Sequence, residues 1–260
     1  MKELLRLEDV TVTMKKGSIP IVKGVGLSVY GGKTTVIVGE SGSGKTMLVK
    51  AVAGILNRNN LLVLGRAYLG DTELFTLNEK MRRDHCSKLA LIMQNPMTAF
   101  DPSVKIGRQM TLGRKDSKSE AREKSIRALK ALGLPRAEQI LSAYPHELSG
   151  GMLQRVMIAI AMISEAPLIA ADEPTTALDA VSRRLVLDEL NLLKSRGAGI
   201  LLVTHDFIIA KRIADYIAVM KNGEFVETGE AAAILNRPQH DYTKALLEAG
   251  TLSKREMGTC

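Results

Sequence analysis

The stretch Gly39-Glu40-Ser41-Gly42-Ser43-Gly44-Lys45-Thr46 fits the pattern G-x-x-x-x-G-K-[ST], and its reading decides the fold. Glycines at this spacing let successive backbone N–H groups turn inward around phosphate oxygens. A helix starting at the end of the loop adds the positive end of its dipole. In such a loop Lys45 reaches the β- and γ-phosphates of a nucleotide, and Thr46 ligates Mg2+. The flanks agree. Thr34-Thr35-Val36-Ile37-Val38 reads as a buried strand, and a helix is expected from Lys45 to about Ala53. On average composition the pattern arises by chance in roughly 1 chain in 100 of this length. The loop alone leaves kinases, GTPases and motor ATPases open, since all share it.

Outward from the loop, the 260 residues suffice to bury a core without disulfides or metals. Hydrophobic residues make up 45% and charged residues 25%, a balance that excludes disorder as the main state. The longest apolar run, Val156 to Ile163, is far short of a membrane span, and MKELLRLEDV at the start has no secretory core. Cys86 and Cys260 make neither a disulfide framework nor a metal cluster, which fits a reducing cytosol. The net charge of +8, from 36 Lys and Arg against 28 Asp and Glu, suits an anionic partner. Aromatics are only 3% with no tryptophan, so stacking on single-stranded nucleic acid is not expected.

The order of elements is α/β. Leu5 to Val12 and Val25 to Val29 read as early strands, and Leu89 to Met93 as another buried one. From Gln94 to Glu165 the character becomes helical. Ser119 to Leu132 is amphipathic, and Met152 to Ile163 is apolar nearly all round and so buried. Alternation then resumes with strands at Leu168–Ala171 and Gly199–Val203, and helices at Val181–Arg196 and Phe207–Ala214. Ile217–Met220 and Glu224–Thr228 flank the hairpin signal Asn222-Gly223. The pattern predicts a mostly parallel sheet covered on both faces.

Two further stretches carry chemistry. Leu168-Ile169-Ala170-Ala171-Asp172-Glu173 is an apolar strand ending in two carboxylates, which such strands do not bury without a reason. Asp172 at the strand tip suits Mg2+, and Glu173 beside the γ-phosphate suits a general base for the attacking water. An acidic helix start is the plainer reading, since Pro174-Thr175-Thr176 follows. Leu148-Ser149-Gly150-Gly151-Met152-Leu153-Gln154-Arg155 opens the apolar helix with an N-cap serine and two glycines, a second anion site outside the loop. His205 follows the strand Ile200 to Val203 and could simply cap the helix beyond.

The ordered set Gly39–Thr46, Gln94, Leu148–Arg155, Asp172-Glu173, Ala177-Leu178-Asp179 and His205 resembles the ATPase subunit of ABC transporters over nearly the whole chain. The resemblance implies a P-loop NTPase (RecA-like) parallel-sheet core with an antiparallel β subdomain and an inserted helical subdomain. It divides the chain into an ATP-binding core, 1–94 and 166–260, and a helical signature subdomain, 95–165. Two subunits face each other head to tail, so Ser149, Gly150 and Gly151 contact the γ-phosphate bound by the other. By the same resemblance Gln94 senses Mg2+ and the attacking water, Asp179 bridges the subunits, and His205 contacts the γ-phosphate. ATP and Mg2+ are the implied cofactors. The position that usually carries an adenine-stacking aromatic is Met14, whose thioether can still contact a purine face. Met152 stands where the family usually has glutamine, and the Gly-Gly amides remain.

Ile92-Met93-Gln94-Asn95-Pro96, Ala99-Phe100-Asp101-Pro102 and Arg237-Pro238-Gln239-His240-Asp241-Tyr242-Thr243 resemble the importers of oligopeptides, dipeptides and nickel. Gly150 to Arg155 and the end at Cys260 resemble the nickel-import members. The implied partners are a second ATPase subunit, two membrane permeases and an extracytoplasmic substrate-binding protein. The implied place is the cytoplasmic face of the cell membrane. Asn95 to Asp101 is expected to be an exposed loop presenting Met97, Ala99 and Phe100 to the permeases, unless Phe100 packs under the helical stretch. Two other classes stay open: a soluble ATPase acting on DNA, which would insert long heptad coiled coils, and a small-molecule P-loop kinase, which has no use for the Ser-Gly-Gly helix start.

Overall fold

The computed structural model describes residues 1–15, 19–57, 59–78, 81, 88–114, 116–176 and 178–257, with 250–257 described as backbone only. Cys86, Ala177 and Cys260 lie outside the described residues. In chain order the first elements are β1 (Glu3–Met14), β2 (Pro20–Tyr30), β3 (Thr34–Val38), α1 (Lys45–Val52), β4 (Leu61–Leu69), β5 (Thr72–Glu73) and β6 (Leu89–Ile92). A helical stretch follows: α2 (Ile106–Met110), α3 (Lys118–Ala131), α4 (Ala137–Ser142) and α5 (Gly150–Ser164), with short 3-10 turns at Pro96–Thr98 and Pro145–Glu147. The chain closes with β7 (Leu168–Asp172), α6 (Ala180–Ser195), β8 (Gly199–Thr204), α7 (Phe207–Ile213), β9 (Tyr216–Lys221), β10 (Glu224–Glu230), α8 (Ala231–Asn236) and α9 (Asp241–Met257). No helix among the described residues is long and apolar enough to cross a membrane.

Six strands form one sheet in the order β10-β9-β3-β8-β7-β6, with every pairing parallel except the β9–β10 hairpin. The strands are apolar because both faces are covered. Val36 and Val38 of β3 join one core and Ile37 the other; β7 and β8 alternate in the same way. The first core holds α5 and most of the helical stretch. The second is closed by α1 and by an antiparallel sheet, β2-β1-β4-β5. The chain thus has the P-loop NTPase architecture, with its antiparallel strands and helical stretch on opposite sides of the parallel sheet.

Most expected elements stand within one or two residues of their expected ends, but β4 has no counterpart in the sequence reading. Its four consecutive apolar residues, Leu61 to Leu64, hide the alternation, because Leu62 and Leu64 point outward and are about half exposed. A second expectation is corrected. Phe100 is not a docking side chain: it is only 7% exposed and lies in the first core with Ile106, Met110 and Leu153. Met97 does remain exposed. The Asn95 side chain caps the turn at Pro96–Thr98 by accepting from Met97 N–H.

Candidate nucleotide site

Four strands of the parallel sheet deliver the site from their carboxyl ends. β3 runs into the Gly39–Thr46 loop, β6 into Gln94, β7 into Asp172 and Glu173, and β8 into His205. Parallel pairing aligns these ends, with Val38 beside Thr204, Asp172 beside Val203 and Ile92 beside Ala171. Gly39, Glu40, Ser41, Gly42, Gly44, Lys45 and Thr46 line a cleft of about 610 Å³ together with Gln94, Glu173 and His205. Open α/β sheets bind ligands at this edge.

The loop's shape depends on two glycines in particular. Gly44 has φ +108, and a Cβ there would stand 2.8 Å from the Ile21 carbonyl oxygen; a Cβ on Gly39 would stand 2.2 Å from that of Met220. Gly44 is also the N-cap of α1, so the first free amides of that helix belong to the loop. The Lys45 ammonium folds back into the concavity, donating to the carbonyls of Gly39 (2.8 Å) and Glu40 (2.7 Å) and to Ser43 Oγ (3.3 Å). Burial lowers its pKa, and the carboxylates of Glu173, Asp172 and Glu40 oppose that shift. It is a buried cation held by neutral oxygens, and polyphosphate oxygens offer it stronger partners.

The acid pair is equally built. Asp172 is buried and accepts from Thr46 Oγ1 at 3.1 Å. Burial raises its pKa, the Thr46 hydroxyl pulls the other way, and neighbouring Glu173 adds to the rise. A desolvated carboxylate beside a hydroxyl gives hard oxygen donors that fit Mg2+, which is typically held by one or two protein ligands with phosphate oxygens completing its shell. Among the described residues no cluster of three or more His, Cys, Asp or Glu makes a metal cage. Glu173 has φ +50, a left-handed backbone that a non-glycine residue adopts only when its surroundings enforce it. The enforcement is visible. Its N–H donates to Val203 O (2.9 Å), Thr176 Oγ1 donates to Oε2 (2.8 Å), and His205 N–H donates to Oε1 (3.0 Å). His205 Nδ1 lies 2.7 Å from the same Oε1. With a carboxylate as the acceptor, Nδ1 is the donor in this contact. Asp206, not His205, caps α7.

Other expected residues lie apart from the cleft. Ser149 caps α5, accepting from Met152 N–H at 3.3 Å, and Gly150 has open space around it. Asp179 caps α6 through Ser182 N–H (2.8 Å) and the Ser182 hydroxyl (2.9 Å), which hold its pKa down. Met14, expected against the base, is exposed at the end of β1 and outside the cleft lining; Ile21 of β2 and Leu246 of α9 stand in that lining instead. Three supporting residues escaped the sequence reading. Thr176 tethers Glu173. Gln154, buried in α5, donates to Met93 O (3.4 Å) and Pro174 O (3.1 Å), tying the Ser-Gly-Gly helix to the segments before Gln94 and after Glu173. Tyr242 reaches the loop from α9. Gln154 stood inside a motif already singled out, four residues past the first glycine and so one turn into the helix.

Residues 22–176 match the family described as ABC transporter. The nickel import ATP-binding protein NikD of Rhodospirillum rubrum is 40% identical over 252 residues, 94% of each chain. The metal-staphylopine import system ATP-binding protein CntD of Staphylococcus aureus is 38% identical over 250 residues, 94% of this chain and 92% of that one. The oligopeptide transport ATP-binding protein OppD of Escherichia coli is 37% identical over 254 residues, 95% of this chain and 75% of that one. Among solved structures, an ATP-binding subunit of an ABC transporter superposes with a TM-score of 0.78 at 25% identity, over 95% of this chain and 99% of that one. A dimeric ATP-binding cassette in a post-hydrolysis state with ADP and Pi superposes at 0.77 and 26%, over 88% of this chain and 99% of that one.

Proposed function

The chain belongs to the ABC transporter family and is an ATP-hydrolysing subunit of an importer; from that premise we propose how its residues do the work and what they serve. The observation that carries the reading is the convergence of Lys45, Thr46 and the Glu173–His205 pair on one cleft, with buried Asp172 bonded to Thr46 behind it. Lys45 leaves the loop carbonyls for the β- and γ-phosphates, and the loop amides with the start of α1 hold the remaining oxygens. Thr46 and Asp172, with Gln94 nearby, hold Mg2+; bound there, the ion neutralises phosphate charge. Glu173 takes the proton of the attacking water, and His205 contacts the γ-phosphate.

Ser149, Gly150 and Gly151 complete the site of a second ATPase subunit bound head to tail, and Asp179 lies at that junction. Residues 95–165 move as a unit against the core 1–94 and 166–260 when ATP draws the pair together, and they carry the motion to two permeases. The chain sits at the cytoplasmic face of the cell membrane as a peripheral subunit. The system takes its cargo, a nickel chelate, a dipeptide or an oligopeptide, from an extracytoplasmic binding protein.

Calorimetry with ATP on Lys45→Ala tests the site. We expect binding to be lost, by roughly a hundredfold or more in affinity, because among the described residues no other cation is buried. Unchanged affinity would remove the loop from nucleotide binding. Uptake of labelled nickel chelate and labelled dipeptide by cells lacking the chain, against cells with it restored, assigns the cargo.

A further inference from the structure

We infer that the C-terminal segment from Arg237 to Leu246 is a working part of the nucleotide site, with Tyr242 as a latch that positions the phosphate loop. This rests on the reading that the loop binds ATP phosphates, and it adds a residue that neither the loop pattern nor the acid pair contains.

The geometry is specific. The Glu40 N–H donates to the Tyr242 hydroxyl at 3.2 Å, across 202 residues of sequence. That N–H belongs to the Gly39–Glu40 peptide, whose carbonyl accepts from Lys45 Nζ at 2.8 Å. One peptide unit at the entry of the loop is therefore gripped at both ends, by the lysine on one side and the phenol on the other. Tyr242 is itself fixed. Its side chain is 9% exposed, and Lys221 Nζ sits 4.5 Å over the ring centroid. Upstream, the Glu227 carboxylate of β10 accepts from the Gln239 and His240 N–H groups at 2.8 and 3.1 Å, anchoring the turn into α9. His240 Nδ1 accepts from Tyr242 N–H at 3.1 Å. One turn further along α9, Leu246 forms part of the cleft wall.

The consequence follows from what Lys45 must do. To hold phosphate, its ammonium gives up the carbonyls of Gly39 and Glu40. Among the described residues, the phenol is then the hydrogen-bond partner that the Gly39–Glu40 peptide keeps, at the moment when the loop's concavity must match the phosphates. Removing the phenol oxygen leaves the Glu40 N–H without its partner and frees that peptide to turn. Tyr242 is a positioning residue: it touches the loop and stabilises its shape.

The test is Tyr242→Phe, which keeps the ring, its packing and the contact with Lys221. In the full chain, calorimetry should show ATP affinity falling roughly three- to tenfold, the range for one lost hydrogen bond. Melting without nucleotide should fall by no more than about 4 °C, the range for one lost hydrogen bond and too small for lost packing. In the assembled transporter, KM for ATP should rise while kcat at saturating ATP stays within about twofold. Amide hydrogen exchange of the peptide spanning Gly39 and Glu40 should speed up in the variant, which checks the bond itself. ATP affinity equal to the parent's overturns the latch. So does a melting loss above about 5 °C accompanying the weaker binding, which would mark Tyr242 as packing alone. Lys45→Ala separates the two readings. If it binds ATP normally, nucleotide binding at the loop fails; if it does not and Tyr242→Phe binds normally, only the latch falls.

Discussion

Glu173 occupies a costly backbone conformation and both of its carboxylate oxygens are engaged, Oε1 by His205 and Oε2 by Thr176. A surface acid at a helix start would need neither. The arrangement aims a carboxylate at the cleft, and general-base transfer is the chemistry it suits. Glu173→Gln keeps the size and one acceptor oxygen but cannot take a proton. Turnover should fall by roughly 10² to 10⁴, while ATP affinity stays near the parent's, since Lys45 and the loop amides are untouched. Steady-state hydrolysis and calorimetry on one preparation check both halves. Near-parent turnover would take Glu173 out of the base role.

At the scale of elements, two places show what holds the site's supports together. Phe100 joins the turn after β6 to the helices beyond it, and its burial predicts a cavity when it is cut back. Phe100→Ala should destabilise the chain by about 3 to 5 kcal/mol, read as an earlier urea midpoint. A midpoint equal to the parent's would mean the ring is not packed as described. Asp215, just before β9, accepts from Thr34 N–H (2.9 Å) at the start of β3 and pairs with Lys33 (3.1 Å) and with Lys194 of α6 (3.2 Å). Burial works against its charge, but these donors outweigh it and hold its pKa below 3.8. A depressed carboxyl pKa contributes stability above the unfolded value, lost as pH falls through the folded one. Asp215→Asn should therefore cost about 1 kcal/mol near neutrality, or roughly 2 to 4 °C of melting temperature. The gap from the parent should close below pH 3.8. A gap that does not change with pH would deny the charge its part. The parallel strands and the long helices were legible in the sequence, because burial on both faces or on one stripe leaves a periodic trace. The loop and the acid pair were legible because their spacing is itself the chemistry. β4 and the reach of Tyr242 were not, because each depends on a partner far along the chain and leaves no local pattern, and the inward turn of Phe100 stood only as the alternative to docking.

For the whole molecule, the telling feature is distance between parts. Gly39 to Gly42 and Gly44 to Thr46 line the cleft, whereas Ser149 to Gly151 are outside its lining, with open space beside Gly150 among the described residues. On the proposed pairing, a second subunit brings the two faces together. The isolated chain should hydrolyse ATP weakly, with a rate per subunit that falls on dilution, and recover when its partner ATPase is added. ATPase activity measured over a range of concentrations decides it, and a constant, full rate from a strict monomer would contradict the pairing. The separation also has a genetic reading. On the proposed pairing, an allele damaged at Lys45 silences the composite site built on its own loop, and one damaged at Ser149 silences the site built on its neighbour's. Lesions in different genes can therefore fall in one site and spare the other, while two lesions in a single gene can disable both. The phenotype of a double mutant would then be set by which surfaces meet rather than by which chain was altered.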